Sequence, residues 1–347
     1  MHNLSTQPVR AAGWVRGMPR QGLLLGVLVL LVAALASLLI GSHPIAMNVV
    51  FDALYQPDLQ NDQHLIVREL RVPRTLVALL AGLALGAAGT LMQALTRNPL
   101  AEPGLLGVNA GAALAVILGV AFFGLTQVGQ YILLAFLGAG VAGVAVFLLG
   151  QAGANDSNPV RLVLAGAGLT MLLASLTGIV VLNTPPQVYD HFRHWAAGSL
   201  AGSSTATLLL PTLAIALGLG LAAALMPQLN ALALGRDLGR ALGVNVRLTW
   251  ALACVALMLL AGSATAVAGP IGFVGLVAPH LARLLVGPDY RRMLPYAALI
   301  AALLLLGADL LGRVLAAPAE LAAGTLALLL GGPAFIVLIS RFRLCHL

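Results

Sequence analysis

The sequence predicts an all-α, polytopic membrane protein with about ten transmembrane helices. Hydrophobic residues make up 60% of its 347 residues and charged residues only 8%. A soluble domain carries roughly 25% charged residues, so most of this chain's surface must face lipid. The apolar runs are about twenty residues long and lack the alternating pattern of barrel strands, which leaves helices as the way to satisfy the backbone. The 39 glycines suit close helix–helix contact in lipid.

Residues 1–22 form a polar tail carrying Arg10, Arg16 and Arg20, and 23–41 form the first span. That run is longer than a signal-peptide core and no small-residue cleavage site follows, so it is expected to be retained. Further spans are expected at 74–95, 104–124, 130–150, 160–182, 206–226, 247–266, 271–286, 294–311 and 321–340. Gly107 and Gly111 interrupt the third span and Pro279 breaks the eighth. Such breaks either line a pathway or serve ordinary helix packing. The longest polar segments beyond the tail are 42–73 and 227–247, so 23–343 reads as one membrane domain with no soluble one.

Ten spans with the N-terminus inside place thirteen arginines on the cytoplasmic side: 10, 16, 20, 97, 161, 236, 240, 247, 283, 291, 292, 341 and 343. Five fall outside: 68, 71, 74, 193 and 313. Glu102, Asp156, Asp237 and Asp289 lie inside, and the other seven acids outside or near that face. The bias fits the positive-inside rule with both termini cytoplasmic. The formal charge of +7 therefore reads as membrane orientation, not nucleic-acid binding.

The chain has no lysine, and a Walker A loop requires one. Any ATP chemistry must come from another polypeptide. Cys254 sits mid-span and Cys345 in the tail, which gives no disulfide framework or metal cluster. No nucleophile–base pair or paired carboxylates point to catalysis. An ion-coupled secondary transporter would need acids inside the spans; only Asp309 lies clearly within one, beside Arg313.

Five strings carry a resemblance: LRVPRTL at 70–76, MQALTRNPLAEPGLLGVN at 92–109, GPIGFVGLVAPHLARL at 269–284, ADLLGR at 308–313 and LGGPAF at 330–335. In this order they resemble the FecCD-type permeases, the membrane subunits of ABC importers for ferric siderophores, haem and cobalamin. The resemblance implies helices 2–5 and 7–10 related as inverted repeats, in a bacterial inner membrane. It implies a second permease subunit, two cytoplasmic ATPases, a periplasmic siderophore-binding protein, and no cofactor. VYDHFRHWAAGSL at 188–200 and LTRNPLAEPGLLGVNAG at 95–111 are similar to the ferric-enterobactin branch. A ferric catecholate substrate and a heterodimeric permease pair follow from that branch. Cobalamin permeases read differently over 194–199; haem and cobalamin remain the alternatives.

Arg71, Arg74 and Arg313 lie at helix ends on one face. On composition alone they are snorkelling anchors, and Asp309–Arg313 is an i,i+4 pair. The resemblance makes them the arginines that receive acids of the binding protein. It likewise makes Asn98 and Leu100, in a loop stiffened by Pro99 and Pro103, the cytoplasmic gate. Segment 227–247 reads as an interfacial helix and by resemblance as the ATPase-coupling segment. Leu234, Gly235, Ala241, Leu242 and Gly243 match its pattern, and Gly239 stands where relatives usually have Ala. His280 lies within the eighth span and His191 and His194 with Asp190 in an external loop. None has the spacing of a strong metal site.

Overall fold

The computed structural model describes residues 19–41, 43–125, 127–151 and 159–341. Most of the 1–22 tail, with Arg10 and Arg16, lies outside the described residues, as do Asp156, Arg343 and Cys345. Fourteen α-helices are present among the described residues: α1 Pro19–Leu39, α2 Met47–Tyr55, α3 Asp62–Leu65, α4 Val72–Thr96, α5 Val108–Phe123, α6 Val128–Gln151, α7 Pro159–Leu182, α8 Pro186–Ala196, α9 Leu209–Ala233, α10 Arg236–Ala241, α11 Val246–Ala268, α12 Val274–Val286, α13 Tyr290–Leu315 and α14 Ala323–Arg341. Seven stretches are long and apolar enough to cross a membrane: α1, the run through α3 and α4, α6, α7, α9, α11 and α13. With the shorter apolar helices α5, α12 and α14, ten apolar helices occupy the ten expected positions. The protein is a multi-pass membrane protein.

α4 and α11 form the centre, with 78% and 72% of their most apolar windows buried, against 6% for α1 and α7. These two central helices run in opposite directions and pack on each other. Around them the contacts exchange in pairs: α4 meets α13 as α11 meets α6, α4 meets α12 as α11 meets α5, and α5 packs on α6 as α12 packs on α13. The expected inverted repeat of helices 2–5 and 7–10 is therefore built into the packing. α1 lies against α13, and α9 against α11 and α4, outside this exchange.

Glycine sets the close approaches. Gly82 and Gly86 bring α4 onto the α13 backbone at Ala302 and Ala297, and Gly111 brings α5 onto Gly138 of α6. These contacts rest on van der Waals packing of backbones. Gly111 is thus a packing residue. Gly107, in the left-handed region at φ 70°, turns the chain into α5.

Three expected boundaries move. The second span begins at Asp62, not 74: α3 leads through a π-type turn, Ile66–Arg71, straight into α4. Pro279 does not break the eighth span. α12 is continuous through it, and the irregular backbone precedes the helix at Gly269–Phe273. Pro279 has no N–H for the Gly275 carbonyl, and that carbonyl faces Gly89 of α4, where any Cβ would collide with it. Residues 186–196 form helix α8, not a loop; its Phe192 and Trp195 are buried while His191 and His194 are exposed.

α5 and α12 are about 24 and 20 Å long at 1.5 Å per residue, short of a bilayer's roughly 30 Å core. Each starts inside the molecule. Gly275, in the first turn of α12, lies against Pro103 and against Leu85, the middle of α4. The Phe273 amide points to Glu102 Oε2 at 3.5 Å. The loop after α4 and the loop after α11 therefore meet at mid-depth, where only contact with protein makes irregular backbone tolerable.

Candidate functional site

At the upper end of the bundle, where α1 finishes and α4 begins, the three arginines are all engaged by the protein itself. Arg71 is buried. Its Nη1 donates to the Leu38 and Leu39 carbonyls at 2.7 and 2.9 Å and its Nη2 to the His43 carbonyl. The last carbonyls of a helix lack intrahelical partners and carry partial negative charge, so this guanidinium caps α1. Arg74 donates from Nε to Asp309 Oδ1 at 2.8 Å, with Nη2 also 2.8 Å from that oxygen, and from Nη1 to Glu320. Arg313 donates from Nη1 to the Ser37 carbonyl at 3.0 Å, and from Nη2 to Ser37 Oγ at 3.2 Å and to Asp309 Oδ2. Ser37 Oγ lies 2.8 Å from Thr75 Oγ1.

Asp309 is fully buried and bridges two guanidinium groups. The expected i,i+4 pair is there, but it is one edge of a network that fastens α1, α4 and α13 together. A cavity of about 470 Å³ opens onto Arg71, Arg74, Arg313, Glu69 and Glu320, with Gly202, Ser203 and Ser204 opposite. Arg68 lies exposed on the π-type turn.

At the lower end, α9 continues through Pro227 to Ala233, so the first third of the 227–247 segment belongs to that helix. Gly235, at φ 121°, breaks the chain and α10 follows. α10 closes by a Schellman motif: the Gly243 amide donates to the Arg240 carbonyl at 2.9 Å and the Val244 amide to the Gly239 carbonyl at 3.0 Å, with Gly243 at φ 83°. Asn245 then caps α11, its side chain accepting from the Leu248 amide at 3.0 Å. The segment thus contains one short helix of its own. Gly239 is buried against α9, and a Cβ there would stand 2.7 Å from Leu232 Cδ2. Glycine here lets α10 fold back closely. Ala241 belongs to the last turn of α10. Leu234, Leu238 and Leu242, four apart, are 56–66% exposed. Leu234 ends α9, while Leu238, absent from the sequence expectations, and Leu242 lie one turn apart on α10 and its cap, outside the ten spans.

Asn98 and Leu100 share this lower end. Asn98 Oδ1 accepts from the Leu100 amide at 2.9 Å, an Asx turn, and both side chains are exposed. Arg97, which ends α4, adopts the left-handed region at φ 51° and donates to the Leu232 carbonyl of α9. The loop carrying Asn98 and the helix leading into α10 are therefore joined by one hydrogen bond. Asn230 adds a second tie to the neighbouring connection: its Nδ2 donates to Asp289 at 2.6 Å and its Oδ1 accepts from the Tyr290 amide at 3.0 Å.

His280 is buried, and neither ring nitrogen has a partner among the described residues. Asp190 pairs with Arg193 at 3.2 Å beside His191 and His194. Among the described residues no three His, Cys, Asp or Glu side chains group to hold a metal. Cys254 is a buried free thiol.

The FecCD transport family model matches residues 29–341. The chain belongs to the FecCD transport family. It is 46% identical to the ferric enterobactin transport system permease protein FepD of Escherichia coli strain K12, over 91% of this chain and 94% of that one. It is 39% identical to the hemin transport system permease protein HmuU of Yersinia pestis, over 95% of this chain and 98% of that one. A solved structure described as an inward-facing metal-chelate type ABC transporter superposes with a TM-score of 0.80 at 29% identity, covering 93% of this chain and 99% of its own. This FecCD member is a permease subunit of an ABC importer.

Proposed function

We propose that this permease subunit carries a ferric catecholate siderophore of the enterobactin type from periplasm to cytoplasm. The observation that carries the reading is the near full-length, 46% identical match to the ferric enterobactin permease protein. The similarity to the hemin permease protein makes haem the second reading. The two are separated by uptake assays in a strain lacking its own permeases, with the chain and its operon partners supplied. Accumulation of radiolabelled ferric enterobactin but not of haem is expected. Haem uptake alone would overturn the siderophore reading.

In this reading the chain pairs with a second, different FecCD-type permease subunit. Two cytoplasmic ATPase subunits power it, and a periplasmic siderophore-binding protein delivers the substrate. The lower end is the cytoplasmic one, with both termini on that side. The gathering of Arg20, Arg97, Arg161, Arg236, Arg240, Arg247, Arg283, Arg291 and Arg292 near lower helix ends supports this. α10 is the ATPase-coupling element, with Leu234 before it and Leu242 and the added Leu238 on it as apolar contacts and Gly235, Gly239, Ala241 and Gly243 setting its shape. Asn98 and Leu100 form the cytoplasmic gate, and the Arg97–Leu232 hydrogen bond supports a mechanical link between gate and coupling helix. Arg71, Arg74 and Arg313 form the periplasmic docking end, with Arg71 and Arg313 holding the frame and Arg74 meeting the partner.

A further inference from the structure

The upper-end network presents its partners unequally. The Arg313 side chain is 2% exposed and that of Asp309 0%, while Arg74 is 12% and Glu320 36% exposed. Arg74 is the network cation nearest the surface, and its guanidinium has two separately occupied edges. Asp309 holds the Nε and Nη2 edge; Glu320 holds Nη1. Asp309 cannot leave without stranding both Arg74 and Arg313 in the interior. Glu320 can leave. It lies in the connection between α13 and α14, it is reached by solvent, and it lines the cavity of about 470 Å³ that also opens onto Arg74.

Charge balance points the same way. Three guanidinium groups share the bonded carboxylates Asp309 and Glu320, with Glu69 exposed at the cavity's edge, so departure of Glu320 makes the cluster more positive by one charge. A carboxylate arriving from outside would restore the balance and inherit a planar fork suited to it. We propose that Glu320 is an internal stand-in for a partner's carboxylate: it covers Nη1 of Arg74 in the undocked permease and is displaced when an acidic side chain of the docking protein enters the adjoining cavity. Docking is then an exchange of one carboxylate for another. A protein that offers a misplaced acid gains nothing over Glu320, and release of Glu320 frees the α13–α14 connection at the moment of capture. This inference rests on the docking reading of Arg74.

The test uses the complete permease–ATPase complex in lipid nanodiscs and the binding protein that supports its uptake in cells, loaded with ferric siderophore, at low salt. Dissociation constants are measured for the wild type, Arg74→Gln, Glu320→Gln, Glu320→Ala and Arg74→Gln with Glu320→Ala. Both Glu320 variants should tighten binding about tenfold, Arg74→Gln should weaken it by at least that factor, and Glu320→Ala should have no further effect once Arg74 is replaced. Hydrogen exchange supplies a readout without mutation: in the wild type, protection of 316–322 should fall on docking. If Arg74→Gln weakens docking but neither Glu320 variant tightens it, the exchange is wrong and the docking reading stands. If Arg74→Gln leaves the constant unchanged, the docking reading itself falls. Unchanged exchange in 316–322 on docking would also overturn the displacement.

Discussion

Replacing Asp309 with Asn measures what the buried carboxylate does. Oδ1 receives Arg74 through Nε and Nη2, and Oδ2 receives Arg313 through Nη2. Asparagine keeps one carbonyl oxygen, so Arg74 retains an acceptor. The new amide then sets donor against donor at Arg313, whose side chain is 2% exposed. Each charge-assisted bond is worth about 1.5–3 kcal/mol, but the three share one anion and do not add. Removing one partner of a buried ion pair costs about 3–5 kcal/mol, and the Ser37 contacts to Arg313 place this case near the lower bound. The assay is equilibrium unfolding of the purified permease in mixed micelles. Asp309→Asn should lose about 3 kcal/mol, and adding Arg313→Met should restore part of it by removing the stranded charge. A single variant within about 1 kcal/mol of wild type would show that the carboxylate works as an exposed pair would and that the network does not fasten α1, α4 and α13.

Gly89→Val should reduce the yield of folded monomer in detergent size-exclusion chromatography, because its Cβ meets the Gly275 carbonyl and not a movable side chain; overpacking of this kind costs about 1–3 kcal/mol or more. Leu238→Glu, on the exposed face of α10, should abolish co-purification of the ATPase and uptake while membrane insertion stays normal; retained co-purification would remove α10 from the coupling interface. Cysteines at Asn98 and Leu100 should crosslink to the equivalent positions of the second permease chain in the resting state and less so with nucleotide bound. A yield that does not change on demonstrated nucleotide binding would argue against a moving gate.

The number and order of the apolar helices were legible because lipid forbids charge over twenty residues, and the gaps between such runs are plain. What lay outside lipid was not. The start of the second span was missed because Asp62, His64, Arg68, Glu69 and Arg71 look like a loop by hydropathy, yet Val67 and Arg71 are buried and carry the helix upward. Asp190, His191, Arg193 and His194 dominate the composition of α8 and make it look like a loop; its two buried aromatics, Phe192 and Trp195, decide its structure. Pro227 and Pro279 signal breaks in sequence, but each sits inside a continuous helix. The arginines at 71, 74 and 313 were visible as a cluster at one end. That Glu320 would cover Arg74 from 246 positions away, or that Ser37 on the outlying α1 would hold Arg313, has no trace in local pattern. Leu238 has a recognisable signal, its four-residue spacing from Leu242.

The meeting of Glu102 with Phe273 has a bearing on how the chain is made. These two residues are 171 positions apart, and the ribosome delivers them in that order. When α4 to α7 have entered the bilayer, the turn that leads into α5 already lies at depth, but its backbone and carboxylate still lack the α12 end that will shelter them. Hydrocarbon offers no substitute partner. Until the second unit arrives, Glu102 lacks the Phe273 amide that it meets in the finished molecule. The two halves are sequential in synthesis, but the packing of α4 on α11, α12 and α13 is completed only when both are present.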